Sequence, residues 1–232
     1  MRAFIGTAIT REQLLASLHA HHAAYRIVRG AYWQGNGDGR GCAVGCSLHD
    51  FYPGRETSHS LYPTAFGVPE ILAHLEDRIF EGLPEHKARD WPLQFAYAIH
   101  EGADLSRVGP AVLYRLIKHC RDALTDIVVP TDDPAADRVR AAIEQTRAAI
   151  GQTLDVLAKW RDTGFVSVFA ASSARDAADS AMYAAASATY AASSAMYAAS
   201  SAMYAADSAS FATYDWLADV LIEEIGRAPV GV

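Results

Sequence analysis

The chain is poor in cysteine, in clustered basic residues and in long apolar runs, and each shortage excludes something. Three Cys in 232 residues cannot staple a disulfide scaffold and suit a reducing compartment. No run of Lys or Arg occurs and the net charge is −7, so the electrostatic footprint of a nucleic-acid binder is missing. Residues 1–10 lack the apolar core of a signal peptide. Together these features point to a cytoplasmic protein with no nucleic-acid or membrane partner. The most telling absence is local: residues 166–214 contain neither Gly nor Pro, and residues 180–206 carry no charge.

That uninterrupted tract is a seven-residue repeat. Its clearest copies begin at Ser180, Ser187, Ser194 and Ser201, with degraded copies at Ser173 and Ser208. A period of seven in good helix formers predicts one long helix with a slight left-handed supercoil. Counting from the Ser, positions two, five and six form an Ala stripe that lets a second helix approach closely. The opposite side carries Met182, Tyr183, Tyr190, Met196, Tyr197, Met203 and Tyr204. Tyr and Met are enriched where surfaces bind partners, so these seven residues form a candidate interaction face. The competing reading is a spacer helix. Six Ser, four Tyr and one Thr within 180–206 make the tract too polar for an ordinary membrane span.

Ahead of the repeat, helical signals recur. Thr10 and Gln13 form a capping box opening a helix over 11–29, with Leu14, Leu15, Leu18 and Tyr25 inward. His19, His21 and His22 on it lack the i, i+4 spacing of a helical metal pair. Gly30 closes it, and residues 35–41 form a glycine-rich turn without a phosphate-cradling pattern. Pro69 begins a helix with Ile71, Leu72, Leu75, Ile79 and Phe80 inward and His74, Glu76, Asp77 and Arg78 on a solvated outer face. A short helix follows over 91–99, and another over 110–127 with Cys120 in the core. Asp133 and Pro134 open a helix to Thr163, with Gly164 as its C-cap.

The fold class is therefore mainly α. A small helical N-terminal domain, residues 1–129, precedes a helical hairpin, residues 130–232, with one very long Ala-rich heptad helix. The first arm of the hairpin covers only half of the second. The surplus Ala stripe predicts association with a second copy, a homo-oligomer.

The chemically suggestive stretch is Gly41-Cys42-Ala43-Val44-Gly45-Cys46, with His49 three residues on. On a helix, Cys42, Cys46 and His49 share a side and could hold zinc, with His59 as a fourth ligand. One Cys could instead be a nucleophile with a His as base. The third reading is two small buried residues in a helix that Gly41 and Gly45 let pack closely. No catalytic set stands out.

The same block resembles a family of uncharacterised phage and prophage proteins. The shared residues are Gly30-Ala31-Tyr32-Trp33, the 41–46 block with His49, Phe66-Gly67-Val68-Pro69-Glu70, residues 75–82, Trp91-Pro92 and residues 102–105. Such proteins often end in an Ala-rich repetitive tail. The resemblance implies a phage-encoded accessory protein in a bacterial host, with no activity common to the family. The chain departs from the pattern at His100, where Pro is expected. It also departs at Tyr25, Tyr97 and Met182, Met196 and Met203, where charge is commoner. The functional expectation is a non-enzymatic protein that binds itself or a host or phage protein. The alternatives are a Cys/His metal or thiol centre and a self-assembling structural protein.

Overall fold

A computed structural model of the protein describes residues 2–35, 39–53, 58–123, 136–163 and 202–231. Among these residues the chain is mainly helical and forms no strand, only isolated bridges. The helices are α1 (Arg11–Ala23), α2 (Ala43–Leu48), α3 (Tyr62–Phe66), α4 (Glu70–Gly82), α5 (Glu85–Ala88), α6 (Trp91–Ala98), α7 (Val108–Ala123), α8 (Ala136–Thr163) and α9 (Ala202–Gly226). None is long and apolar enough, among the described residues, to cross a membrane.

The chain divides into two compact units, Met1–Gly109 with Ser208–Val232, and Pro110–Asp207. The division therefore falls at 109/110 rather than 129/130, and the C-terminal residues join the N-terminal unit. The physical reason is the apolar segment at the end of α9. Leu217, Val220, Leu221 and Ile225 are buried. The Asp104 N–H donates to the Pro229 carbonyl at 2.9 Å, and Ala103 pairs with Val230 in an antiparallel bridge. Lys87 and Asp215 form an ion pair at 2.7 Å.

In the first unit, α1 packs on α2 and α6, and α2 packs on α4. The capping box is present: Thr10 Oγ1 accepts from the Gln13 N–H, and Gln13 Oε1 accepts from the Thr10 N–H. The helix stops at Ala23, six residues short of the expected end. The Arg26 N–H donates to the His21 carbonyl and the Tyr25 N–H to the His22 carbonyl, the two bonds of a Schellman turn. Tyr25 takes the left-handed position at φ 56°, where Gly is usual. Its ring is 70% exposed rather than inward, and Arg89 lies over it at 4.2 Å.

On α4, Leu72, Leu75, Ile79 and Phe80 are buried as expected, but so is Glu76, at 1% exposure. Glu76 sits one turn from both Leu72 and Phe80, in the middle of the apolar stripe rather than on the outer face. The following Trp91 is also buried, and its indole N–H donates to the Glu76 carbonyl at 3.0 Å.

In the second unit, α8 opens two residues after Pro134 and buries Ile150, Leu154 and Leu157. Arg161 lies over the Tyr114 ring at 4.5 Å. Cys120 is half-buried, not core. Gly164 and most of the expected heptad helix lie outside the described residues. Its last copy, 208–214, is helical within α9.

Candidate functional site

The residues 41–46 hold their shape by close backbone approach. A Cβ on Gly45 would stand 1.5 Å from the Tyr32 carbonyl oxygen, and one on Gly41 would stand 2.1 Å from it. Only glycine admits the Tyr32 main chain at both points. The Cys42 N–H completes the junction by donating to the Ala31 carbonyl at 2.7 Å. The segment before α2 is thereby pressed against the start of the helix, and Tyr32 and Cys42 come to line one cavity.

That cavity, about 210 Å³, is also lined by Gly30, Ala31, Asp77 and Glu81. Tyr32 Oη is 2.5 Å from His59 Nδ1, and His59 Nε2 is 3.2 Å from Asp77 Oδ2. A carboxylate only accepts, so the bond to Asp77 places a proton on Nε2 and leaves Nδ1 to accept from the phenol. Tyr32, His59 and Asp77 thus form a hydrogen-bonded chain that ends at the cavity wall. The His59 ring stacks on His74 at 4.0 Å. Burial, and then the Asp77 charge, push the Tyr32 phenol up to about 12, so it holds its proton. Asp77 Oδ1 is buried and accepts no hydrogen bond among the described residues. One turn on, Glu81 Oε1 accepts from the Gly30 N–H at 3.0 Å.

The two thiols do not share a centre with the histidines. Cys42 is buried, and burial first and Asp77 second raise its pKa well above the ordinary range. Cys46 Sγ stands 3.4 Å from the Gly41 carbonyl, and burial pushes it up to about 12. His49 stacks flat on Trp33 at 3.7 Å. His59 is engaged by Tyr32 and Asp77. Among the described residues no group of three or more His, Cys, Asp and Glu is placed to hold a metal ion, so Cys42, Cys46, His49 and His59 do not form the expected zinc set. The partners differ: Cys42 lies beside Asp77, Cys46 beside the Gly41 carbonyl, and the histidines are held by aromatic and carboxylate partners. Both thiols are buried, and burial raises the pKa of each and so disfavours the thiolate.

Two further polar sites lie in the same unit. Tyr62 donates to Glu76 Oε2 at 2.6 Å, both buried, and Oε1 of that carboxyl has no hydrogen-bond partner among the described residues. His21 is 2% exposed. Its Nε2 stands 3.1 Å from Asp50 Oδ2, an oxygen that also accepts from Ser17 Oγ at 2.8 Å. The other α1 histidines have separate partners. His19 meets Tyr97 at 2.6 Å and His22 meets Asp90 at 2.6 Å.

Of the interaction-face residues, Met182, Tyr183, Tyr190, Met196 and Tyr197 lie outside the described residues, while Met203 and Tyr204 belong to α9. Tyr32, Asp77, Glu81 and Glu76 were not singled out as site residues by the sequence pattern. The one local signal was the placement of Glu76 midway between Leu72 and Phe80. No family model, curated protein or solved structure matches the chain.

Proposed function

We propose that the chain is a non-enzymatic interaction protein, a phage- or prophage-encoded accessory factor of the bacterial cytoplasm. In this reading it acts through its Ala/Tyr/Met heptad tract, and its first partner is a second copy of itself. The observation that supports it is the anchoring of the repeat. The last copy, 208–214, is helical and belongs to the same compact unit as residues 1–109. It runs without a break into Leu217, Val220, Leu221 and Ile225, which are buried there. A repeat fixed at one end by an apolar anchor loses less freedom on meeting a partner than a loose tail does. The surplus Ala stripe supplies a close-packing surface, and the neutral Tyr and Met side a second.

The test is sedimentation equilibrium of the full chain and of two variants. One carries Arg in place of Met182, Met196 and Met203, the residue that Arg175 already supplies at that repeat position. The other lacks residues 187–200, two whole copies. The full chain is expected to associate at micromolar concentration and both variants to associate more weakly, with the melting of the N-terminal unit unchanged. A full chain that stays monomeric, or variants that associate equally well, overturns the reading.

A further inference from the structure

We infer that the cleft between residues 25–29 and the turn from α4 into α5 is a binding site for a carboxylate carried on an apolar body. Its volume, about 770 Å³, is that of a small-molecule site. The lining falls in two separate stretches of the first unit, 25–29 and 80–89. Ile27 and Phe80, both buried, give it an apolar wall.

Arg89 is the anchor. Its guanidinium lies over the Tyr25 ring at 4.2 Å, so the ring covers one face of the plane. The N–H donors point outward within that plane, and no carboxylate among the described residues pairs with them. Arg89 is half-buried, and a guanidinium withdrawn from water without an acid is under-satisfied. Tyr25 holds the stack from its left-handed backbone position, a strained choice for a tyrosine. Arg29 adds a second guanidinium to the lining; it donates to the Glu81 carbonyl at 3.2 Å and keeps its other donors.

The charges of the lining select the ligand. Two guanidiniums face one carboxylate, Glu85, with His86 beside it on α5. A carboxylate takes two parallel bonds from one guanidinium fork. A phosphate dianion meets Glu85 with twice the repulsion, and an amine meets two like charges. The apolar wall and the Tyr25 ring take the hydrocarbon part of the ligand.

Calorimetric titration of the full chain with sodium phenylacetate tests this, with benzyl alcohol and benzylammonium chloride as comparisons. Saturable phenylacetate binding is expected, with both comparisons weaker by roughly tenfold or more. Arg89→Gln removes the fork and is expected to lower affinity by a similar factor. Arg89→Lys keeps the charge without the fork and recovers only part of the loss. Tyr25→Gly removes the ring but fits the left-handed backbone, so it weakens binding while the melting temperature holds. A blocked Phe-Glu dipeptide separates the two sources of the group. Tighter binding than phenylacetate assigns the carboxylate to a partner's glutamate, and weaker binding assigns it to a free acid. If neither acid binds better than benzyl alcohol, or if Arg89→Gln and Tyr25→Gly both bind like the parent, the inference fails.

Discussion

Tyr62 donates its phenolic proton to Glu76 Oε2 across 2.6 Å, and neither side chain is reached by water. The pair makes a buried acid part of the core. Burial is the main cause that raises the Glu76 pKa from 4.5 to about 8; the Tyr62 bond works against it and Asp77 adds to it. Folded Glu76 therefore keeps its proton to a higher pH than the unfolded chain does. Its contribution to stability is full below about pH 4.5 and is lost as pH rises through about 8. The loss is on the order of 5 kcal/mol. Urea unfolding at pH 5, 7 and 9 should show the parent weakening with pH and Glu76→Gln much less so. Parallel curves for the two proteins would count against the buried acid.

His21 should act on the opposite side of the profile. Burial, the largest cause, lowers its pKa below 6.5; Asp50 opposes this and Arg26 adds to it. The neutral ring favours the fold above the unfolded value, and that stability is lost as pH falls through the lower folded value. His21→Phe should soften the decline of the melting temperature between pH 6.5 and acid. An unchanged acid limb would show that other groups carry it.

The backbone contact at Gly45 predicts a large and specific cost. Adding a methyl group 1.5 Å from the Tyr32 carbonyl forces main chain to move, since no flexible side chain is there to yield. Gly45→Ala should destabilise by about 3 kcal/mol. Gly151 in α8 is the control, with nothing within 4 Å of an added Cβ. Gly151→Ala should stabilise by roughly 0.5–1 kcal/mol through helix propensity. Chemical denaturation of both variants decides it, and equal effects would remove the steric explanation.

Thiol chemistry gives a direct count. Cys42 and Cys46 are buried with raised pKa values, whereas Cys120 is half-buried. An aromatic disulfide reagent at pH 8 should leave the first two unmodified in the folded protein and modify all three after denaturation. Rapid labelling of Cys42 in folded protein would mean that its cavity opens to reagent.

Legibility followed sequence distance. The Thr10–Gln13 box could be read because both partners lie within one turn, and the α4 stripe because a buried face repeats at three and four residues. Tyr25 broke its reading because nothing in the pattern says that a tyrosine will take the left-handed position; the Schellman bonds and Arg89 hold it there. The close approach at Gly41 and Gly45 was foreseeable as one of three alternatives, whereas its partner, the Tyr32 carbonyl, was not. The Tyr32–His59–Asp77 chain of hydrogen bonds was hidden for the same reason. His59 meets Tyr32 and Asp77 across 27 and 18 residues of chain, and no periodicity connects them.

The docking of α9 also restricts how this chain can change length. Leu217, Val220, Leu221 and Ile225 fix one azimuth of the helix against its unit. Inserting one residue just ahead of them would swing the preceding residues of α9 by about 100° around the axis. Inserting a whole copy returns them to within about 20°. Within α9 the anchor therefore sets a register that steps of about a full repeat preserve and other small steps do not.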